Sequence, residues 1–294
     1  MIDEIKDDSG SVLPNLRQYP CCAKPFWERC DIQIWNESNL DTMARMADNS
    51  IDLTVTSPPY DNLRKYKGFS FPFEDVAKEL YRITKPGGVV VWVVGDSTKD
   101  GSESLTSFKQ AILFNSVGFN VHDTMIYQKL SGLPLNHNRY EQDFEFMFVL
   151  AKGKPKTFNP IKVKTVTNEK RDSFFGTHDE KNNKRRSGAK RTDTKPEKIK
   201  GNIWGYRTGL YHSTSDAVAF KHPAVFPEQL AADHIQSWSN EGDLVYEPFG
   251  GSATVAKMCF LLNRKCIMSE ITKEYCELSI QRLSPYTSQS RLFV

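Results

Sequence analysis

At 294 residues, with 39% hydrophobic, 26% charged and 12% aromatic side chains, the chain has an ordinary globular composition and room for one large α/β domain or two smaller ones. No window approaches the apolar length of a membrane helix, the acidic start MIDEIKDDSG lacks a signal-peptide pattern, and six cysteines show no disulfide-framework spacing; a membrane or disulfide-framed secreted protein is disfavoured, and the cytoplasm is the expected location. Six scattered histidines form no i,i+4 pair and no ligand completes Cys21, Cys22 and Cys30, so no metal is expected.

Ile51, Leu53 and Val55 alternate as in a strand. Phe73, Val76, Ala77, Leu80 and Tyr81 then recur at helical spacing, and Lys85-Pro86-Gly87-Gly88 is expected to stop that helix before the buried strand VVVWVV (89–94). A helix over about 103–117 and strands near 120–129 and 143–151 follow. Residues 152–200 break the alternation, with sixteen Lys/Arg against six Asp/Glu, so the net charge of +3 hides a local excess of ten positive charges. NNKRRSGAKR (182–191) reads as a solvated loop, either a plain surface insertion or a face for phosphate, where clustered cations displace counterions. Beyond it come a helix entered at Pro227 with Ala231, Ile235 and Trp238 on one face, a strand in DLVYEPFGG (243–251), and a helix carrying Val255, Met258, Cys259 and Leu262. The strand KCIMSE (265–270) and a helix bearing Cys276, Ile280 and Leu283 close the chain. Alternation on both sides of a basic insert predicts one mainly parallel sheet with helices on both faces.

In such sheets ligands bind outside the carboxyl ends of the strands. EPFGGSAT (247–254) occupies one such end, with Gly250 and Gly251 open to close approach and Ser252 or Thr254 free to cap a helix or bond a ligand. Glu270, one strand later, is placed to accept both hydroxyls of a ribose, which suggests a nucleoside-type cofactor. TSPPY (56–60) ends another strand: Pro58 and Pro59 lack N–H groups and stiffen the backbone, leaving free carbonyls, the Ser57 hydroxyl and the Tyr60 ring.

TSPPY, then PFGGSAT, then CIMSE resembles the amino-group DNA methyltransferases in their permuted β-class order. NSIDLTVTSPPY is similar to the catalytic strand and loop of that family, LYRITKPGGVVVW to the helix and strand after it, and FKHPAVFPEQLAADHIQSWSNEGD (220–243) to the segment before the cofactor loop. The resemblance covers roughly residues 33–283 and implies a Rossmann-like S-adenosylmethionine-dependent fold. Its implied division is an extension (1–32), a catalytic half (33–151), a basic target-recognition region (152–205) and a cofactor half (206–294). Glu247 stands where the family has Asp, Ala253 where it has Gly, and Asn36-Glu37 where it has Gly-Asp.

The resemblance implies S-adenosyl-L-methionine held by Glu37, Thr56, Phe226, Glu247, Pro248, Phe249, Gly250, Gly251, Ser252, Thr254 and Glu270, and catalysis by Ser57, Pro58, Pro59 and Tyr60. An exocyclic amine is a poor nucleophile because its lone pair is delocalised, so it needs acceptors for its hydrogens; the Pro58 carbonyl and Ser57 hydroxyl are of that kind, and Tyr60 can stack on a flipped base. Ser-Pro-Pro-Tyr goes mostly with cytosine N4 in the family; adenine N6 and an inactive DNA-binding homologue are the alternatives. Double-stranded DNA is the expected partner, contacted through Lys184, Arg185, Arg186, Lys190 and Arg191, or else through SGLPLNHNRY (131–140). A restriction endonuclease acting on the same site is a second expected partner if the chain is half of a restriction pair; the oligomeric state stays open.

Overall fold

Apolar runs rich in β-branched residues build the centre of the fold, and the polar turns between them place the helices. The computed structural model describes residues 24–59, 72–130, 139–165, 178–179, 184–185 and 196–288. The chain divides into one unit of residues 1–159 with 202–294 and another of residues 160–201.

Among the described residues of the first unit, nine strands form one sheet: β1 (Trp27–Arg29), β2 (Ile32–Trp35), β3 (Ile51–Thr56), β4 (Thr84–Val94), β5 (Asn120–Lys129), β6 (Phe144–Ala151), β7 (Ile203–Tyr206), β8 (Leu244–Glu247) and β9 (Lys265–Ser269). Their order is β1-β2-β9-β8-β3-β4-β6-β5-β7. The run β2-β9-β8-β3-β4 is parallel throughout, as is the β5–β7 pair, while β1–β2, β4–β6 and β6–β5 are antiparallel. This is the mainly parallel sheet that the alternation predicts.

Helices α1 (Asn39–Arg45), α2 (Phe73–Ile83) and α3 (Thr106–Val117) pack on one face; α4 (Glu228–Trp238), α5 (Thr254–Leu261) and α6 (Lys273–Thr287) lie on the other. The unbroken apolar run of β4 serves both faces: Val90, Trp92 and Val94 join the cluster of Met43, Leu80 and Phe114, and Val89, Val91 and Val93 point the other way, all fully or nearly fully buried. Ser38 caps α1 by accepting from the Asp41 amide at 3.2 Å. Asp96, just past β4, caps α3 from outside by accepting from the Ser107 amide at 3.0 Å.

Two local expectations shift. The helix α2 ends at Ile83, before Lys85-Pro86-Gly87-Gly88, and those residues belong to β4 as an irregularity in its pairing with β3. Gly87 has φ +85°, and a side chain there would collide with Lys156 while its amide reaches the Lys152 carbonyl at 2.7 Å, so these glycines shape a strand entry rather than a helix stop. The helix expected from about 103 starts at Thr106, because Ser102–Glu103 pairs with Thr98–Lys99 in a short ribbon.

In the second unit, Lys162–Lys164 pairs antiparallel with Glu197–Ile199, and His178–Asp179 with Lys184–Arg185. Lys184 and Arg185 therefore sit on a short ribbon, whereas Arg186, Lys190 and Arg191 lie outside the described residues. Among the described residues no helix is long and apolar enough to cross a membrane, and no cluster of side chains is suited to hold a metal ion.

Candidate active site

The parallel run β2-β9-β8-β3-β4 brings five carboxyl ends side by side, with Trp35 beside Ser269, Met268 beside Glu247, and Thr56 beside Trp92. Each of the sequence-derived loops leaves from this row. Ser57-Pro58-Pro59 continues off β3, with Pro58 buried and Ser57 and Pro59 half-buried. Tyr60 lies outside the described residues.

The loop after β8 is tied to its neighbours by two buried carboxylates. Glu247 accepts from the Thr56 hydroxyl at 2.5 Å and from the Phe249 amide at 3.0 Å, so the last residue of β3 and the first turn of the glycine loop share one acceptor. Glu270 accepts from the Gly251 amide at 2.9 Å and the Thr272 amide at 2.8 Å. The Thr272 side chain and the Ile271 amide also lie against Glu270, so its carboxylate is ringed by donors from the loop it heads. Burial pushes Glu247 up to about 8 despite those two hydrogen bonds, with nearby Glu270 adding to the rise, and burial also raises Glu270. Two buried acids, each with its charged form disfavoured by burial, therefore stand side by side at the row of strand ends.

The remaining loop residues are fixed by close packing. Phe249 meets the buried Trp92 ring edge-on at 6.2 Å, and the Asn39 side chain bonds the Pro248 carbonyl at 3.3 Å. A side chain at Gly250 would collide with Met268, and at Gly251 (φ +51°) a Cβ would sit 3.1 Å from the His222 ring. His222, edge-on to Tyr275 at 4.4 Å, thus lays the HPAVFP segment against the glycine turn, with Phe226 of that segment half-buried. Glu37 is held apart from this set by Arg45 (3.1 Å) and Thr42 (3.0 Å), while the adjacent Asn36 side chain bonds the Glu270 carbonyl at 3.0 Å. The structure therefore gathers Thr56, Glu247, Phe249, Gly250, Gly251 and Glu270 into one set. Ser252 and Thr254 turn their hydroxyls to Arg282 (3.2 and 2.9 Å).

His222 and Arg282 were not singled out from the sequence. Arg282 had a legible signal: it falls among Cys276, Ser279 and Leu283 on the buried side of the last helix, where a bare cation is unexpected.

Comparison with known proteins agrees with this geometry. The family model for N6/N4 DNA methylases matches residues 51–281. The orphan methyltransferase M.BamHII of Bacillus amyloliquefaciens is 52% identical over 244 residues, covering 82% of this chain and 91% of that protein. Among solved structures, the cytosine-N4-specific PvuII DNA methyltransferase superposes with a TM-score of 0.66 at 20% identity, covering 92% of this chain and 91% of that one. A putative DNA modification methylase from Thermus thermophilus, solved with S-adenosyl-L-methionine, gives 0.57 at 19% identity, covering 87% and 96%. These two likenesses establish the shared fold, and the family match and the 52% relative establish the kinship: the chain belongs to the N6/N4 DNA methylase family.

Proposed function

We propose that the chain transfers a methyl group from S-adenosyl-L-methionine to the exocyclic N4 amine of a cytosine flipped out of double-stranded DNA. The observation that carries this reading is the hydrogen bond from Thr56 to Glu247, which joins the strand leading into Ser57-Pro58-Pro59-Tyr60 directly to the glycine turn. Glu270 fits the cofactor by its place: it ends the strand next to the glycine turn and bonds the Gly251 amide, where a carboxylate suits a ribose diol. Phe226, Pro248, Phe249, Gly250 and Gly251 would wall it, Thr56 would border it, and Ser252 and Thr254 would support the loop; Glu37, which the structure ties to Arg45 and Thr42, would reach it only from the edge.

When bound, S-adenosylmethionine supplies an electrophilic methyl group on a sulfonium. The protein's task is to hold the amine. The Pro58 carbonyl and Ser57 hydroxyl accept its two hydrogens, so that the nitrogen lone pair turns from the ring toward the methyl group. Pro59 fixes the direction of the preceding carbonyl, and Tyr60 stacks on the extruded base. Methyl transfer would leave a neutral thioether behind, and the methylated amine would release one proton, which Ser57 would pass toward solvent. Positioning, not a covalent intermediate, supplies the rate.

The Ser-Pro-Pro-Tyr sequence and the fold shared with the cytosine-N4-specific PvuII enzyme support cytosine over adenine. The basic unit, with Lys184, Arg185, Arg186, Lys190 and Arg191, is the proposed DNA-reading element. M.BamHII is an orphan methyltransferase, which supports a stand-alone role here over pairing with an endonuclease. Nucleoside mass spectrometry of DNA from cells expressing the protein is expected to show N4-methylcytosine; N6-methyladenine without N4-methylcytosine would overturn the choice of base.

A further inference from the structure

Arg282 and Lys257 are cations buried to 1% and 3% exposure, on α6 and α5. Burying an unpaired charge is costly, so each must be matched. Asp216 and Glu228 do this. Lys257 Nζ lies 2.8 Å from Asp216 and 2.7 Å from Glu228; Arg282 reaches the same two carboxylates at 2.9 and 2.6 Å. Tyr286 donates to Asp216 at 2.7 Å, and the Thr214 hydroxyl lies 2.5 Å from Glu228. Two cations and two anions thus form a neutral cluster.

The two cations differ in one respect. The Lys257 side chain meets the two carboxylates and Tyr286, whereas Arg282 extends one arm into the glycine loop: Nη1 donates to the Ser252 carbonyl at 2.7 Å, the Ser252 hydroxyl at 3.2 Å and the Thr254 hydroxyl at 2.9 Å. The carboxylates bracket the segment that carries His222 onto Gly251, with Asp216 ahead of it and Glu228 behind. One planar, forked side chain therefore links both ends of the overlying segment to the floor of the turn.

We propose, building on the reading of residues 247–254 as the cofactor loop, that Arg282 is a positioning residue that sets S-adenosylmethionine affinity by locking the glycine turn and the His222 segment into one geometry, without touching the cofactor. Lys257 balances the charge of the cluster and leaves the loop alone.

The test pairs two variants and measures cofactor binding by calorimetry, thermal unfolding, and turnover at saturating cofactor. Arg282→Lys keeps the charge but loses the fork: cofactor binding is expected to weaken at least tenfold, with turnover at saturation within threefold of wild type. Lys257→Met is expected to lower the melting temperature at least as much while binding stays within twofold. Equal binding by Arg282→Lys and wild type, or equal weakening in both variants, would overturn the proposal. Should Arg282→Lys fail to fold, Asp216→Asn preserves shape and is expected to bind three- to tenfold more weakly, with faster amide exchange at residues 251–254; unchanged binding and exchange would overturn it. Wild-type protein that binds no S-adenosylmethionine would instead remove the cofactor reading beneath it.

Discussion

Between the sheet and α1–α3 lie rings and aliphatic chains: Trp92 contacts Phe73 and Phe114 at 5.7 and 5.0 Å, and Phe114 contacts Phe119 at 5.7 Å. Against α4–α6 the chain also packs apolar side chains such as Leu230, Ile235 and Cys259, but among them it buries Arg282 and Lys257, paired with two partly exposed carboxylates behind the glycine turn. Apolar packing is strong but weakly directional, so it suits the layer that has only to stay folded. Hydrogen-bonded ions stabilise little overall yet fix direction, and they occur where a loop must be held in one shape.

The largest expected effect tests the apolar layer. Phe114→Ala should destabilise the protein by about 3–5 kcal/mol in denaturant unfolding, since the ring is fully buried among aromatic neighbours. Cofactor affinity of the folded protein should stay within twofold; a large loss would show that the two layers do not divide the work in this way.

Glu270→Ala tests the site layer. It should weaken S-adenosylmethionine binding by about 2–3 kcal/mol, because the ribose acceptor is lost and the Gly251 and Thr272 amides lose their common partner. Unchanged affinity by calorimetry would remove Glu270 from the site.

Glu247 gives a pH signature. Its folded-state pKa is about 8, well above the ordinary carboxylate value, because it is buried and Glu270 is near. The folded protein then holds a proton that the unfolded chain releases near pH 4.5, so this contribution is complete below that pH and is lost as pH rises through 8. Glu247→Gln keeps acceptors for Thr56 and Phe249 and removes the titration. Thermal unfolding should find the variant close to wild type near pH 5 and the more stable of the two at about pH 9. A parallel pH dependence in both proteins would show that Glu247 ionises freely.

The smallest effect lies far from the charges. Ser38→Ala removes the cap on α1 and should cost about 1 kcal/mol in thermal unfolding without altering cofactor binding.

Much of the sheet was legible because its strands are β-branched runs ending in loops that cannot continue a ladder, as in IDLTVTSPP and KCIMSE. Three strands were not: β1, β2 and β7 are only three or four residues long, and β2 and β7 pair with strands far along the chain, as when Ile203 pairs with Ile126. The glycine loop and Glu270 could be read because they are local motifs. The charge cluster could not, since Arg282 meets Asp216 across 66 residues and Glu228 across 54, and no local pattern encodes such a meeting. Glycines 250 and 251 were read as room for a ligand, and the structure adds a second reason, the approach of Met268 and His222.

The most direct measurement of the central claim compares purified wild type with Ser57→Ala, using S-adenosylmethionine and duplex DNA, by nucleoside mass spectrometry alongside calorimetric cofactor binding. Holding the amine accounts for several kcal/mol of such a barrier, so the variant should form N4-methylcytosine at least about a hundredfold more slowly. Its cofactor affinity should remain within threefold of wild type. Equal methylation by the variant, or loss of cofactor binding in step with activity, would contradict a catalytic role for the strand end at Ser57.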